Sequence, residues 1–155
     1  MLNFEYLCAF RLEKRTTHYK KLLNYLMILT EITRGIRISV QTEYKESHSR
    51  PTENRFVFAY QITIENCSEY SIQILRRHWT IFDSNGTTHD VEGEGVVGQQ
   101  PVITPGASHQ YVSWANIGSD MGKMSGTYMV ERQIDGELFD VKIPEFILVS
   151  PFKMN

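Results

Sequence analysis

From Ile36 onward, apolar and polar residues alternate with a period of two. Ile36, Ile38, Val40, Thr42 and Tyr44 fall on one side of the chain, with Arg37, Ser39, Gln41 and Glu43 on the other. That pattern predicts a half-buried β-strand. Phe56, Phe58, Tyr60, Ile62 and Ile64 repeat it, while their neighbours grade from Val57 and Ala59 to Gln61, Thr63 and Glu65. A strand with so many large apolar residues on one side needs a second layer to pack against. Another strand is expected over residues 72–82, apolar on both faces near Trp79. It ends at Asp83-Ser84-Asn85-Gly86, where Asn-Gly accepts the positive φ angles of a hairpin turn.

Strands are also expected over residues 108–114, 127–133 and 139–148, the last two joined by a tight hairpin at Ile134-Asp135-Gly136-Glu137. Pro144 cannot donate to a ladder, so the final strand is bulged there or lies at an edge. Short strands at this spacing, with almost no helical pattern between them, predict an all-β fold: two antiparallel sheets packed face to face as a sandwich. No second domain and no internal repeat are evident.

The beginning of the chain reads differently. Residues 1–26 lack Gly and Pro and carry Arg11, Lys14, Arg15, Lys20 and Lys21 against Glu5 and Glu13. Leu22, Leu26 and Leu29 recur at the spacing of one face of a short helix. Two readings compete: a basic amphipathic appendage that touches a membrane surface or a partner, or a tail outside the fold, with Met27 as the biological start. The second is preferred, which sets the domain at residues 27–155.

Composition narrows the function. The chain has 155 residues, 41% hydrophobic and 22% charged, with a net charge of −2. This is an ordinary globular composition, without the basic excess of a nucleic-acid reader. Cys8 and Cys67 form neither a disulfide framework nor a zinc motif. No apolar run approaches the roughly 20 residues of a membrane span. A cytoplasmic protein without a nucleic-acid or membrane partner is the expectation.

Gly93-Glu94-Gly95-Val96-Val97-Gly98 spells G-x-G-x-x-G. In a dinucleotide fold that motif opens a helix whose N-terminus holds a pyrophosphate. Here Pro101 and Pro105 follow closely, which forbids a long helix, and no βαβ unit surrounds it. Two readings remain. Gly93, Gly95 and Gly98 could present backbone N–H groups to an anion or pyrophosphate, assisted by Arg76 and Arg77. Otherwise the glycines serve a tight β-turn region.

Around this stretch the chain resembles the ApaG domain family. The resemblance rests on Arg77-His78-Trp79, Asp83, Gly86, Val91, the glycine run, Gln100-Pro101, Pro105-Gly106, Tyr111, Ser113, Met124, Gly126, Tyr128, Gly136, Phe139 and Ile143-Pro144. It covers roughly residues 27–155, with residues 115–122 a less typical match. It implies an immunoglobulin-like or fibronectin type III-like β-sandwich. The family occurs as a small bacterial protein and as a domain of larger eukaryotic proteins, where it looks like a protein-interaction module. The resemblance also implies an association, by name and gene neighbourhood, with diadenosine tetraphosphate hydrolysis and with cobalt and magnesium efflux. It brings no catalytic site.

The residues themselves offer none either. His18, His48, His78, His89 and His109 form no paired metal spacing. A hard-cation site from His89, Asp90 and Glu92 with Asp83 is conceivable, but scattered surface residues are the plainer reading. No GxSxG elbow is present, and neither cysteine has a neighbouring base. Tyr111, Trp114 and Tyr128 could form an aromatic surface for a partner, though strand aromatics more often serve the core. The chain is therefore expected to be non-enzymatic, without a cofactor, and to bind another protein through an edge strand or the loops at one end of the sheets. Its exposed edges are compatible with a homodimer. A pyrophosphate-binding module at residues 93–98 is the alternative. A hydrolase of dinucleoside polyphosphates would need a base, and usually a metal, that the sequence does not offer.

Overall fold

The computed structural model of the protein describes residues 28–151. The proposed tail at residues 1–26 and its start at Met27 lie outside the described residues. Nine strands follow one another: β1 (Leu29–Thr33), β2 (Ile36–Tyr44), β3 (Phe56–Asn66), β4 (Ile72–Asp83), β5 (Thr88–Glu94), β6 (Val102–Ile103), β7 (Ser108–Ile117), β8 (Met121–Arg132) and β9 (Glu137–Val149). One antiparallel sheet runs β1-β2-β3-β7. The other runs β5-β4-β8-β9, with β6 paired to the end of β4 beside β5. Among the described residues no α-helix occurs; two single 3-10 turns lie between β2 and β3, and Pro151 is also 3-10. The fold is an antiparallel all-β sandwich, as the alternation predicts, of the immunoglobulin-like, fibronectin type III-like kind that the resemblance implies.

The alternating apolar positions meet between the sheets. Ile36, Ile38, Val40, Phe58, Ile62 and Ile64 come from one sheet. Ile72, Ile74, Trp79, Tyr128, Val130, Val141, Phe146 and Leu148 come from the other, and all are buried. Each such aliphatic or Phe side chain contributes roughly 1.5–3 kcal/mol relative to an exposed one. Trp79 is the hub: its ring meets Tyr60, Tyr128 and Phe146 edge-on at 5.5, 6.5 and 5.9 Å, the geometry that aromatic quadrupoles favour.

Several elements depart from the sequence expectation. Leu29 is not on a helix: it opens β1, whose residues pair with β2 through a two-residue turn at Arg34 (φ 51°) and Gly35 (φ 82°). Two consecutive positive φ angles make this a primed turn, which a generic Arg does not advertise. At the β4–β5 hairpin the positive φ falls on Gly86 alone and not on Asn85. Gly86 N–H donates to Asp83 O and Asp83 N–H to Thr87 O, both at 2.9 Å. The turn is therefore of the bulged kind, with one left-handed glycine.

Strand β7 runs on to Ile117 and β8 begins at Met121. Buried Asp83 secures the connection between them, its carboxylate accepting from Gly118 N–H at 2.5 Å and from Ser119 Oγ. Pro144 meets both expectations at once: β9 is an edge strand, and its Pro144-Glu145 step bulges opposite Ser125.

Candidate functional site

Residues 95–99 close a turn of their own. Val96 N–H donates to Gln99 O at 2.7 Å and Gln99 N–H to Val96 O at 3.0 Å. Val97 (φ 48°) and Gly98 (φ 73°) occupy the two central positions, again a primed turn. The chain goes on from it to strand β6, not to a helix.

A bulge in β4 between Ile74 and Arg76 resets the alternation, so that Arg77 shares the inward side with Trp79, while Arg76 points to the outer face, 3.8 Å from Glu92. Arg77 Nη1 donates to the carbonyls of Glu94 and Gly95, each at 2.9 Å. Its guanidinium lies over Gly93, where a Cβ would stand 2.8 Å away. At Gly95 (φ 55°) a Cβ would stand 1.9 Å from Gln99 O. The structure therefore brings Arg77, Gly93 and Gly95 together, leaves Gly98 at the exposed tip, and places Arg76 on the opposite face. Arg77 faces carbonyl oxygens, and Gly95 N–H is taken by Leu75 O at 2.8 Å.

Behind Arg77 lies a tyrosine cluster. The Tyr111 and Tyr128 hydroxyls are hydrogen-bonded to each other in the core. Burial pushes both phenols, and that of Tyr60, above the ordinary tyrosine value, while the Arg77 charge tempers the shift. Three phenols whose neutral form burial favours cannot act as bases near neutrality. Of the three aromatics singled out from the sequence, Tyr111 and Tyr128 are thus core. Trp114 is half exposed on the outer face of the β7 sheet.

The imagined cation site does not assemble. Asp83 is turned inward toward Gly118 and Ser119. Asp90 accepts from Thr80 Oγ1 at 2.8 Å and contacts His78 Nε2 at 3.1 Å. Among the described residues no group of three or more His, Cys, Asp or Glu side chains is placed to hold a metal ion.

Among the described residues two surfaces stand out as places for a partner. One is β5, the last strand of its sheet, exposed along nearly its whole length with Asp90, Glu92 and Glu94 in alternation. The other is a depression of about 270 Å³ on the outer face of the β2–β3–β7 sheet, lined in part by Ala59, Gln61, Val112 and Trp114. Neither surface is named in the sequence expectations; the signals left unused there are the alternation of Asp90, Glu92 and Glu94 and the small Ala59 between Val57 and Gln61.

Against this fold, the model of the ApaG domain matches residues 46–132. The chain belongs to the ApaG family. Protein ApaG of Pseudomonas paraeruginosa is 44% identical over 123 residues, covering 79% of this chain and 97% of that protein. Protein ApaG of Maricaulis maris is 48% identical over 117 residues, covering 76% and 89%. A crystal structure of the ApaA protein from Bordetella pertussis superposes with a TM-score of 0.72 at 37% identity, covering 75% of this chain and 94% of that one. Among the described residues, no helix of this ApaG chain is long and apolar enough to cross a membrane.

Proposed function

We propose that this ApaG protein is a non-enzymatic cytoplasmic binding module that holds a partner protein along the edge strand β5. The observation that supports this reading is the strand itself. Seven residues at a sheet edge, exposed almost throughout and paired on one side only, leave a row of backbone donors and acceptors open. An extended segment adds to such an edge by main-chain hydrogen bonds, and alternate side chains set specificity. Asp90, Glu92 and Glu94 alternate along β5, so a partner segment with Lys or Arg at every second position is complementary. The association with cobalt and magnesium efflux is read in the same way, as a property of the partner.

The test is capture from lysate with the wild type and with the Glu92→Lys/Glu94→Lys variant, beside Glu145→Lys on the far edge as control. A partner lost in the first variant and kept in the control supports the reading. Equal capture by all three, or enrichment of nothing but a second copy of the chain, overturns it.

Pyrophosphate binding at residues 93–98 is the second reading. What supports it is confined to the turn tip, where the N–H groups of Val97 and Gly98 make no backbone hydrogen bond among the described residues. A thermal-shift panel of nucleotides decides it, because a ligand at 100 times its dissociation constant stabilises by about 2.7 kcal/mol. No shift with any nucleotide or polyphosphate removes it.

A further inference from the structure

On the outer face of the β2–β3–β7 sheet, Glu43, Ala59 and Trp114 stand side by side in one row, and Gln41, Gln61 and Val112 in the next. Ala59 is the short residue of its row and forms the floor of the depression. It is buried although it faces outward, because the segment after β2 folds over this end of the sheet. Lys45 N–H donates to Val57 O at 2.8 Å, and Val57 N–H donates to Ser49 Oγ at 2.9 Å. That segment also braces the indole of Trp114: the His48 ring lies 5.1 Å from it and Lys45 Nζ 5.8 Å from its centroid. Half of the tryptophan surface nevertheless stays open to solvent.

The result is an aromatic platform beside planar polar groups. Gln61 contributes an amide that makes no hydrogen bond among the described residues, and Gln41 and Glu43 stand next to it. The charges here are already matched, since Lys45 Nζ lies 2.6 Å from Glu43 Oε2. Among the described residues no unpaired cation is therefore left in the depression to receive a phosphate. At about 270 Å³ the space falls below the roughly 300 Å³ at which pockets for drug-sized ligands begin, so it suits one or two small rings.

The geometry points to a neutral saccharide unit as the ligand of this depression. The C–H face of a pyranose is apolar and faintly positive, which suits the negative face of the Trp114 indole. Its ring hydroxyls both donate and accept, as the Gln61 amide and the Glu43 carboxylate require. A nucleobase would also stack on the indole, but its phosphate would meet only the neutralised Lys45–Glu43 pair. This site is separate from β5 and does not depend on the partner reading.

The full chain is tested first on an array of neutral oligosaccharides and then by calorimetric titration of the best binder, with tryptophan emission followed alongside in the wild type. Trp79 is buried and Trp114 is not, so the emission change reports on the depression. Trp114→Ala is expected to lose at least about tenfold in affinity, the size of a lost aromatic stack. Trp114→Phe should recover part of that loss, and Gln61→Ala should weaken binding severalfold with the thermal midpoint unchanged. A silent array, binding that Trp114→Ala leaves intact, or a response to nucleoside monophosphates with none to sugars overturns the proposal.

Discussion

The two lateral sides of the sandwich are built oppositely. On one side, β1 and β9 meet and are latched together. Lys142 N–H donates to Thr33 Oγ1 at 3.1 Å. Arg34, at the tip of the first hairpin, makes a two-pronged pair with Glu137 at 2.8 and 3.0 Å. Arg132 joins Asp135 and Glu137 to the same network, and the two guanidinium groups lie over Phe139 and Tyr70. On the other side β5 and β7 end their sheets, and β5 stays exposed, with Val91 still 42% accessible. There the inward cation Arg77 is bound to the backbone of its own neighbours rather than to the opposite sheet. An edge covered by ion pairs and a neighbouring strand cannot recruit another chain, whereas an uncovered one can. The contrast assigns structure to one side and leaves the other open for the recognition proposed above.

The largest expected effect lies at the root of the open side. Gly95→Val needs a left-handed backbone from a β-branched residue and puts its Cβ against Gln99 O. It should destabilise the domain by about 3 kcal/mol or more in urea titrations. If the loss is below about 1 kcal/mol, the turn is not the anchor of β5.

Between the two sides, Tyr128→Phe leaves the buried Tyr111 hydroxyl without its partner and should cost about 1–3 kcal/mol. The double variant Tyr111→Phe/Tyr128→Phe should cost less than the sum of the two single ones, because it leaves no orphaned hydroxyl. Strict additivity in chemical denaturation would contradict that coupling.

A smaller effect is expected from acid on the latch. The Arg132 hydrogen bond holds the Asp135 carboxyl down at about 2, and the Arg34 hydrogen bond lowers that of Glu137. Both folded-state values lie below the unfolded ones. Their contribution is therefore complete above the ordinary carboxylate range and is lost as pH falls through the folded values. Melting temperature should decline from about pH 4.5 downward, and Asp135→Asn should flatten that decline. The groups are exposed, so the effect is also salt-dependent. Hydrogen exchange should locate it at the start of β9, and acceleration confined to β5 would reverse the comparison. Smallest of all, Glu92→Lys on the open side should change stability by no more than about 0.5 kcal/mol while it alters partner capture.

Most of the fold is legible in the chain because alternation has only one physical solution. Greasy residues at every second position from Ile36 to Leu148 must face a common interior, and glycine or proline corners must return the strand. Strands β1, β5 and β6 escaped: the residues of β1, with Thr30, Glu31 and Thr33, carry little apolar signal and owe their state to pairing with β2, and β5 and β6 owe theirs to pairing with β4. The candidate site was legible only in pieces. Gly93, Gly95 and Arg77 are visible as residues, but the bulge after Ile74 that turns Arg77 inward leaves no mark on composition.

What the sequence by itself determined is the all-β character, the facing sheets and the absence of a helix after Gly98, because those depend on local periodicity and backbone stereochemistry. What only the tertiary structure decided is which edge is sealed and which face carries a cleft. Arg34 reaches Glu137 across more than a hundred residues, and Ala59 becomes a floor only when the segment after β2 closes over it. Such outcomes depend on long-range contacts, which no local pattern encodes.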